Sequence, residues 1–297
     1  MAEPDLQFFD LSHYGKIELA GGDARSFLHN LCTQDVKTLA VGASCEAFLT
    51  TTKARVVAHV WITHTKADVL RLDMVAGQAD KVLKHLNHFL ISEQVEIADR
   101  TAEFGMLRVV GPNAASASGG GKPADPRPHR LLAVEGVDLF CPSADVAALQ
   151  QQLISAGVGR AGAETYERLR IEAGLPEYGI DIDENRLAME VGRTAQAISY
   201  TKGCYLGQET IVMARDRGQV NRMLTGVRFA SVREPVASGT KLFRGSDEVG
   251  QVTSSLFSLR FGQVIALAYL RRGSWDPGTE VVADGRPAVV CALPFRA

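Results

Sequence analysis

The sequence predicts an α+β fold followed by a small β-barrel, and three observations carry that expectation. Over the first hundred residues, short strand-like patterns alternate with helical ones, the texture of helices packed on mixed or antiparallel sheets. From Leu224 onward, short apolar segments are separated by Gly, Pro and Ser turns, as in a compact all-β module. The 297 residues, 46% apolar and 22% charged, suffice for one large domain or two to three smaller ones with developed cores.

Taken in order, Lys16-Ile17-Glu18-Leu19 alternates with period two and stops at Gly21-Gly22, as a short strand should. Asp23 is placed to cap a helix carrying Phe27, Leu28 and Leu31. Residues 56–63 and 69–73 read as strands. Residues 77–90 read as a helix with Val82, Leu83, Leu86, Phe89 and Leu90 apolar, and 95–98 and 106–110 as further strands. Residues 111–130 hold a Gly-Gly-Gly run and four prolines and read as a loop or exposed insert. Gly119-Gly120-Gly121-Lys122 within it lacks the preceding strand and the Lys-Ser/Thr helix start of a phosphate-cradling loop. Two helices follow, over 145–156 and 163–173. The barrel segments are 226–229, 248–252, 264–270 and 280–282. The expected boundary near Gly226 gives a region 1–225, divisible into two subdomains, and a barrel domain 226–297.

A formal charge of −2 excludes a globally basic nucleic-acid binder. No apolar run reaches the roughly 18 residues of a membrane span, and Met1-Ala2-Glu3-Pro4-Asp5 has no signal-peptide order; the expected location is cytoplasmic. Five cysteines include no C-x-x-C pair, so reduced thiols rather than disulfides or zinc are expected. Four of them read as small buried residues, Cys204 being the exception. His85 and His88 can share a helix face but have no third ligand nearby in sequence, so no metal is expected.

Between Arg186 and Arg233 there are eight basic residues (Arg186, Arg193, Lys202, Arg215, Arg217, Arg222, Arg228, Arg233) and three acidic ones (Glu190, Glu209, Asp216), a local +5. A solvated face explains any one arginine; the surplus as a group suits an anionic ligand or an RNA phosphate. Within this segment, Lys202-Gly203-Cys204-Tyr205 precedes a helical run over 208–214. A helix start and a lysine two residues away would both lower a thiol pKa from its usual value of about 8.5. Gly203 and Gly207 leave room for close approach by a ligand. The alternative is a tight turn with an inert thiol.

Ala197-Ile-Ser-Tyr-Thr-Lys-Gly-Cys-Tyr-Leu-Gly-Gln-Glu209 resembles the signature of the YgfZ family of folate-binding proteins. The stretches 10–24 and 27–36 resemble the family opening. Residues 171–183 resemble a segment shared with the glycine-cleavage T-protein. Val249-Gly-Gln-Val-Thr-Ser254 and Leu293-Pro-Phe295 resemble its C-terminal barrel. The resemblance implies an aminomethyltransferase-like folate-binding domain and a tetrahydrofolate cofactor. It implies a role as an accessory protein in assembly or repair of iron–sulfur enzymes, including tRNA-modifying ones. Partners would be those enzymes or assembly factors, with nucleic acid contacted only indirectly.

By the same resemblance, Tyr14, Tyr166 and Glu190 fall at folate positions, and Arg222 could meet the glutamate tail. Gly203 and Tyr205, in the motif around the functional thiol Cys204, count with them as cofactor-binding positions, and Lys202 is the activator of the thiol. Ala188 and Leu259 stand where relatives usually carry proline. T-proteins have an acidic residue where Cys204 stands. Val82 occupies the position of their catalytic aspartate, with Asp80 two residues away in register, which argues against glycine-cleavage aminomethyl transfer. Two competing expectations are a folate-dependent C1-transferase of aminomethyltransferase or demethylase type, and a non-catalytic RNA-binding module.

Overall fold

The alternating patterns of the first hundred residues build one five-stranded sheet and give the strand Gln7–Asp10 to a second, whose other four strands lie between residues 104 and 160. The computed structural model describes residues 5–117, 125–218, 220–230 and 233–296; the Gly119–Lys122 run considered above lies outside them. In the first sheet the order is Ser44–Thr50, Val56–Lys66, Val69–Met74, Gly15–Ala20 and Glu96–Asp99, with every neighbour antiparallel. Successive side chains point to opposite faces. One face buries Ile17, Leu19, Ala47, Leu49, Val60, Ile62, Leu70 and Leu72 under the helices Ala24–Leu31 and Ala79–Phe89. Val82 and Leu86, four residues apart, are the buried residues of the second helix, the spacing one helix face requires. Asp23 precedes the first helix without capping it through its side chain; its carboxylate instead accepts the Gln94 amide at 2.8 Å.

The opposite face carries Lys16, Glu46, His59, Trp61, Arg71 and Asp73, all buried. The second sheet runs Gly159–Arg160, Gln7–Asp10, Phe104–Val110, Gly136–Pro142 and Asp125–His129, antiparallel except at the first pairing. In it Phe9, Arg108, Asp138 and Arg127 stand directly opposite one another in a row. Its apolar face, Phe8, Leu107, Val109, Val137 and Leu139, packs with Leu149 and Leu153 of the helix Val146–Ser155.

The expected loop over 111–130 is corrected at its C-terminal end. Asp125–His129 is an edge strand despite two prolines, a position that tolerates a missing N–H. Arg127 is buried there and paired with Asp73 and Asp138. The prolines concealed the strand, and the partners that hold it are 54 and 11 residues away.

The barrel closes in the order Arg222–Phe229, Gln263–Arg271, Asp247–Ser258, Lys241–Arg244, Glu280–Ala283 and Arg286–Cys291. Its first strand begins at Arg222, ahead of the expected Gly226. The register of Asp247–Ser258 shifts between Val252 and Ser254, and such a bulge re-aims side chains. Here the hydroxyls of Thr253 and Ser254 both donate to Asp181 Oδ1. Asp181 Oδ2 accepts from Arg170 of the helix Ala163–Glu172 at 2.7 Å. A buried, fully bonded carboxylate thus ties the barrel to the helix Ala163–Glu172. No helix among the described residues is long and apolar enough to cross a membrane.

Candidate functional site

Three groups of residues hold the positions singled out from the sequence. The first surrounds Tyr14 and Tyr166. Tyr14 follows the strand Gln7–Asp10, and its turn is fixed by Lys16, whose buried ammonium donates to the Ser12 and Tyr14 carbonyls at 3.0 and 2.8 Å. Burial pushes the Lys16 pKa down to about 8. The Tyr14 and Tyr166 hydroxyls lie 3.2 Å apart, and Arg108 donates to the Tyr166 hydroxyl at 2.8 Å. Burial raises the Tyr14 pKa, so the phenol stays protonated at neutral pH. Both rings line a cavity of about 480 Å³ together with Phe9, His13, Asp10, Glu164, Glu167 and Glu177. That volume falls within the range of small-molecule sites. A hollow of about 10 Å³ shares Tyr14, Tyr166 and Glu177 with it and reaches Trp61, His59 and Tyr178.

Arg108 is itself held by a bidentate pair to Asp138 at 2.7 and 2.9 Å. Arg127 and His129 bond the same carboxylate. Burial works to raise the Asp138 pKa, but Arg108, His129 and Arg127 outweigh it and hold it well below the usual range. No motif signals this network in the sequence. Its members lie on three strands, and only the pairing register brings them together. The same holds for Glu46, whose carboxylate is bonded by His59 at 2.7 Å and by Arg193. Burial opposes ionisation there too, yet these partners bring its pKa to about 2.

The second group is Glu190 with Arg222. Glu190 is buried, accepts the Leu187 amide at 3.2 Å, and has its pKa raised by burial against the pull of Arg186, Arg222 and Arg55. Arg222 is exposed at the start of the first barrel strand. Arg186 lies over the Tyr269 ring at 3.9 Å. Neither Glu190 nor Arg222 lines the Tyr14–Tyr166 cavity.

The third group is the motif itself, and here one expectation is corrected. Lys202 is buried, and its ammonium donates to the carbonyls of His29, Cys32 and Gln34 at 2.5, 2.8 and 2.8 Å. It also lies 4.8 Å from the Tyr205 ring centroid. Its charge is committed to the turn after the helix Ala24–Leu31, not to Cys204. Burial lowers its pKa, with Cys32 and Asp35 opposing. Cys204 is exposed and lies three residues before Gly207, the cap of the helix Gln208–Arg217. It is therefore outside the first turn, where the helix dipole acts.

At Gly207 the close approach is that of the chain's own backbone, not of a ligand. The φ there is +84°, and an added Cβ would sit 2.7 Å from the Thr51 carbonyl oxygen. A Cβ at Gly203 would meet nothing within 4 Å. Tyr205 is buried in the core with Ile198, Ile211 and Ala214 and does not line the cavity. Cys32 and Cys141 are buried, Cys45 and Cys291 half-buried. No group of three or more His, Cys, Asp or Glu suited to a metal ion occurs among the described residues.

Among the described residues the basic surplus is largely engaged rather than one free patch. Arg193 pairs with Glu46, Lys202 with carbonyls, and Arg215 with Asp216. Arg186 and Arg228 lie against aromatic rings. Asp80 is exposed in the first turn of Ala79–Phe89, while Val82 is fully buried under the first sheet. The carboxylates that line the cavity are Asp10, Glu164, Glu167 and Glu177; Asp10 and Glu177 lie in the stretches 10–24 and 171–183, but none of the four was singled out as a site residue. Burial raises the pKa of Glu177, with Arg170 opposing. A larger hollow of about 840 Å³ lies on the barrel between Phe243, Val282 and Val289, apart from all three groups.

Comparison with known proteins accords with this architecture. Residues 3–117 match the GCVT N-terminal domain. Residues 222–296 match the glycine cleavage T-protein C-terminal barrel domain. The chain is 28% identical to an aminomethyltransferase of Rubrobacter xylanophilus over 97% of its own length and 82% of that protein's. It is also 28% identical to an aminomethyltransferase of Thermus thermophilus, over 97% and 86%. The crystal structure of the glycine cleavage system aminomethyltransferase T from Bartonella henselae superposes with a TM-score of 0.85. That match spans 98% of this chain and 86% of that one at 23% identity, a likeness of fold. Two sheets with their helices, followed by the closed barrel, thus form an aminomethyltransferase-like fold, in which residues 3–117 match a GCVT N-terminal domain and residues 222–296 a glycine cleavage T-protein C-terminal barrel domain.

Proposed function

We propose that this chain is a tetrahydrofolate-binding accessory protein that supports assembly or repair of iron–sulfur enzymes, tRNA-modifying ones among them, with Cys204 as its working thiol. The observation that carries the folate part is the Tyr14–Tyr166 wall of the 480 Å³ cavity. Flat ring systems stack on such aromatic faces, and the carboxylates beside them accept N–H groups of the kind a pterin edge presents. Tetrahydrofolate, when bound, supplies a carrier for one-carbon units. The chain's own residues bind and orient it: the tyrosines by ring contact in the cavity, and Glu190, buried outside that cavity, by accepting hydrogen bonds from the part of the molecule that extends beyond it. Arg222 would meet the negatively charged tail. Support for the accessory role comes from the Lys202–Tyr205 motif, whose buried lysine and tyrosine leave Cys204 exposed to a partner. In the register that sets Val82 at the place of the T-protein aspartate, burial of Val82 and exposure of Asp80 support this reading over aminomethyl transfer.

Titration of the purified protein with tetrahydrofolate tests the cofactor. Each charge-assisted hydrogen bond contributes about 1.5–3 kcal/mol, so Glu190→Ala is expected to weaken binding about ten-fold or more. Unchanged affinity would remove Glu190 from the site, and no binding by the wild type would remove the folate reading. For the thiol, Cys204→Ala is expected not to restore iron–sulfur enzyme activity in a strain lacking the gene. Full restoration would defeat its role.

A second reading, a folate-dependent C1-transferase, is favoured by Glu177. Its carboxylate lines the cavity beside the tyrosines with its pKa raised by burial, as a proton-transfer group requires. Relatives named aminomethyltransferase point the same way. Turnover of an aminomethyl or methyl-amine donor that is lost in Glu177→Gln would establish it.

A further inference from the structure

The polar groups on the Tyr14–Tyr166 wall are unequal in number of donors and acceptors, and the imbalance specifies what faces them. Arg108 is locked on Asp138 by two hydrogen bonds of 2.7 and 2.9 Å and donates to the Tyr166 hydroxyl oxygen at 2.8 Å. A guanidinium cannot accept a hydrogen bond, so Tyr166 is an acceptor on that side. Its own proton is directed elsewhere. The two phenols, 3.2 Å apart, share one hydrogen bond and carry two protons between them. Whichever ring donates to the other, one O–H is left over, because Arg108 consumes an oxygen lone pair and no proton.

A second donor stands on the same side. Trp61 is buried, lines the small hollow with Tyr14 and Tyr166, and its Nε1–H has no hydrogen-bond partner among the described residues. An indole N–H is a donor only, and a buried one left unpaired is costly. The hollow, about 10 Å³, admits a single oxygen-sized group. The other ionisable groups of the cavity are His13 and four carboxylates that accept when charged, Asp10, Glu164, Glu167 and Glu177, of which Asp10 also accepts from Gln150 and Glu167 from Arg170.

We propose that Tyr14, Tyr166 and Trp61 form a donor wall that recognises one acceptor atom, an oxo oxygen or ring nitrogen, of a bound heteroaromatic ring, while carboxylates of the same cavity take its N–H groups. Arg108 is a positioning residue that sets the direction of the Tyr166 proton. The inference rests on the folate reading and adds to it the orientation of the ring. The donor-rich, oxo-bearing head enters the cavity, and the anionic tail is kept out by four carboxylates.

The test is the dissociation constant for tetrahydrofolate in wild type, Tyr14→Phe, Tyr166→Phe, Trp61→Phe and the Tyr14→Phe/Tyr166→Phe double variant, with thermal unfolding as a check on the fold. The double variant is expected to bind about ten-fold more weakly, the loss of one to two hydrogen bonds. Tyr14→Phe alone should lose less, because Tyr166 keeps its proton and its arginine. Trp61→Phe should lose several-fold. The wall is overturned if the folded double variant binds like wild type, or if Tyr14→Phe costs as much as the double.

For Arg108, the weakening caused by Arg108→Lys should disappear in the Tyr166→Phe background. A loss that persists there means a structural role and removes the positioning claim. If the wild type binds no tetrahydrofolate, the folate reading falls and the wall with it. If it binds and the double variant is unchanged, the wall falls alone.

Discussion

Asp138→Asn is expected to lower the unfolding free energy by about 3–5 kcal/mol, the cost of breaking a buried ion pair while its partners stay buried. The carboxylate is fully buried and receives Arg108 through two bonds, with Arg127 and His129 as further partners. Removing its charge leaves two buried guanidinium groups dependent on Asp73 and on neutral acceptors. The same residue predicts a pH dependence. Its folded-state pKa lies below the unfolded value of about 3.9. The stability it contributes is therefore complete above pH 4 and is lost as pH falls through the lower, folded-state value. His129 acts in the same direction: burial lowers its pKa, so protons bind the unfolded chain more readily below about pH 6.5. Urea denaturation between pH 7 and pH 2.5 is the measurement. The wild type should lose stability more steeply than Asp138→Asn at the acid end. A variant within 1 kcal/mol of wild type at pH 7 would contradict the assignment of the network as the brace between the sheets.

Lys202→Met should produce the second large effect, a destabilisation of about 3 kcal/mol or more. Three backbone carbonyls of the turn between His29 and Gln34 converge on one ammonium. Bonds to a charged donor contribute about 1.5–3 kcal/mol each, and the carbonyls would be left without it in the interior. Methionine retains the length of the side chain, so the packing against Tyr205 is largely kept. The loss should appear in the denaturation midpoint and in proteolysis of the 199–207 segment. In the fraction that remains folded, the alkylation rate of Cys204 should change little, because the lysine charge faces the His29–Gln34 turn. A stable Lys202→Met protein with a thiol several-fold less reactive would restore the activator role that the motif spacing suggested.

That reversal illustrates which site features were legible from local sequence. The motif, its exposed cysteine and the following helix are neighbours along the chain, so their presence could be read directly. The direction of a four-carbon side chain could not. Lys202 turns inward because three carbonyls from residues some 170 positions earlier offer it a site, and nothing in the 202–209 stretch encodes that. Tyr14 and Tyr166 were singled out separately by resemblance, 152 residues apart, and the fold brings their hydroxyls together. Glu190 and Arg222, singled out in the same way, are electrostatic neighbours but stand apart from that cavity.

The elements themselves were more readable than the site. Periodicity identified the strands at 16–19, 56–63, 69–73 and 106–110, the helices at 77–90 and 163–173, and the barrel texture after 224, because burial of one face imposes the spacing of apolar residues. The edge strand Asp125–His129 was missed, because prolines and charged residues there satisfy no periodic rule.

By itself, the sequence determined which segments are strands and helices, where the barrel lies, and that a lone thiol sits in a glycine-flanked turn. Those properties depend on residues within a few positions of one another. Tertiary structure alone decided that the inner faces of the two sheets are charged. It placed Arg108 behind Tyr166, left Trp61 with an unused donor, and gave Lys202 to backbone carbonyls instead of to Cys204. The physical reason is that an ion pair or a hydrogen bond is strong only where water is excluded. Which polar groups are shut away from water together depends on strand register and sheet packing, and these are set by the whole chain at once.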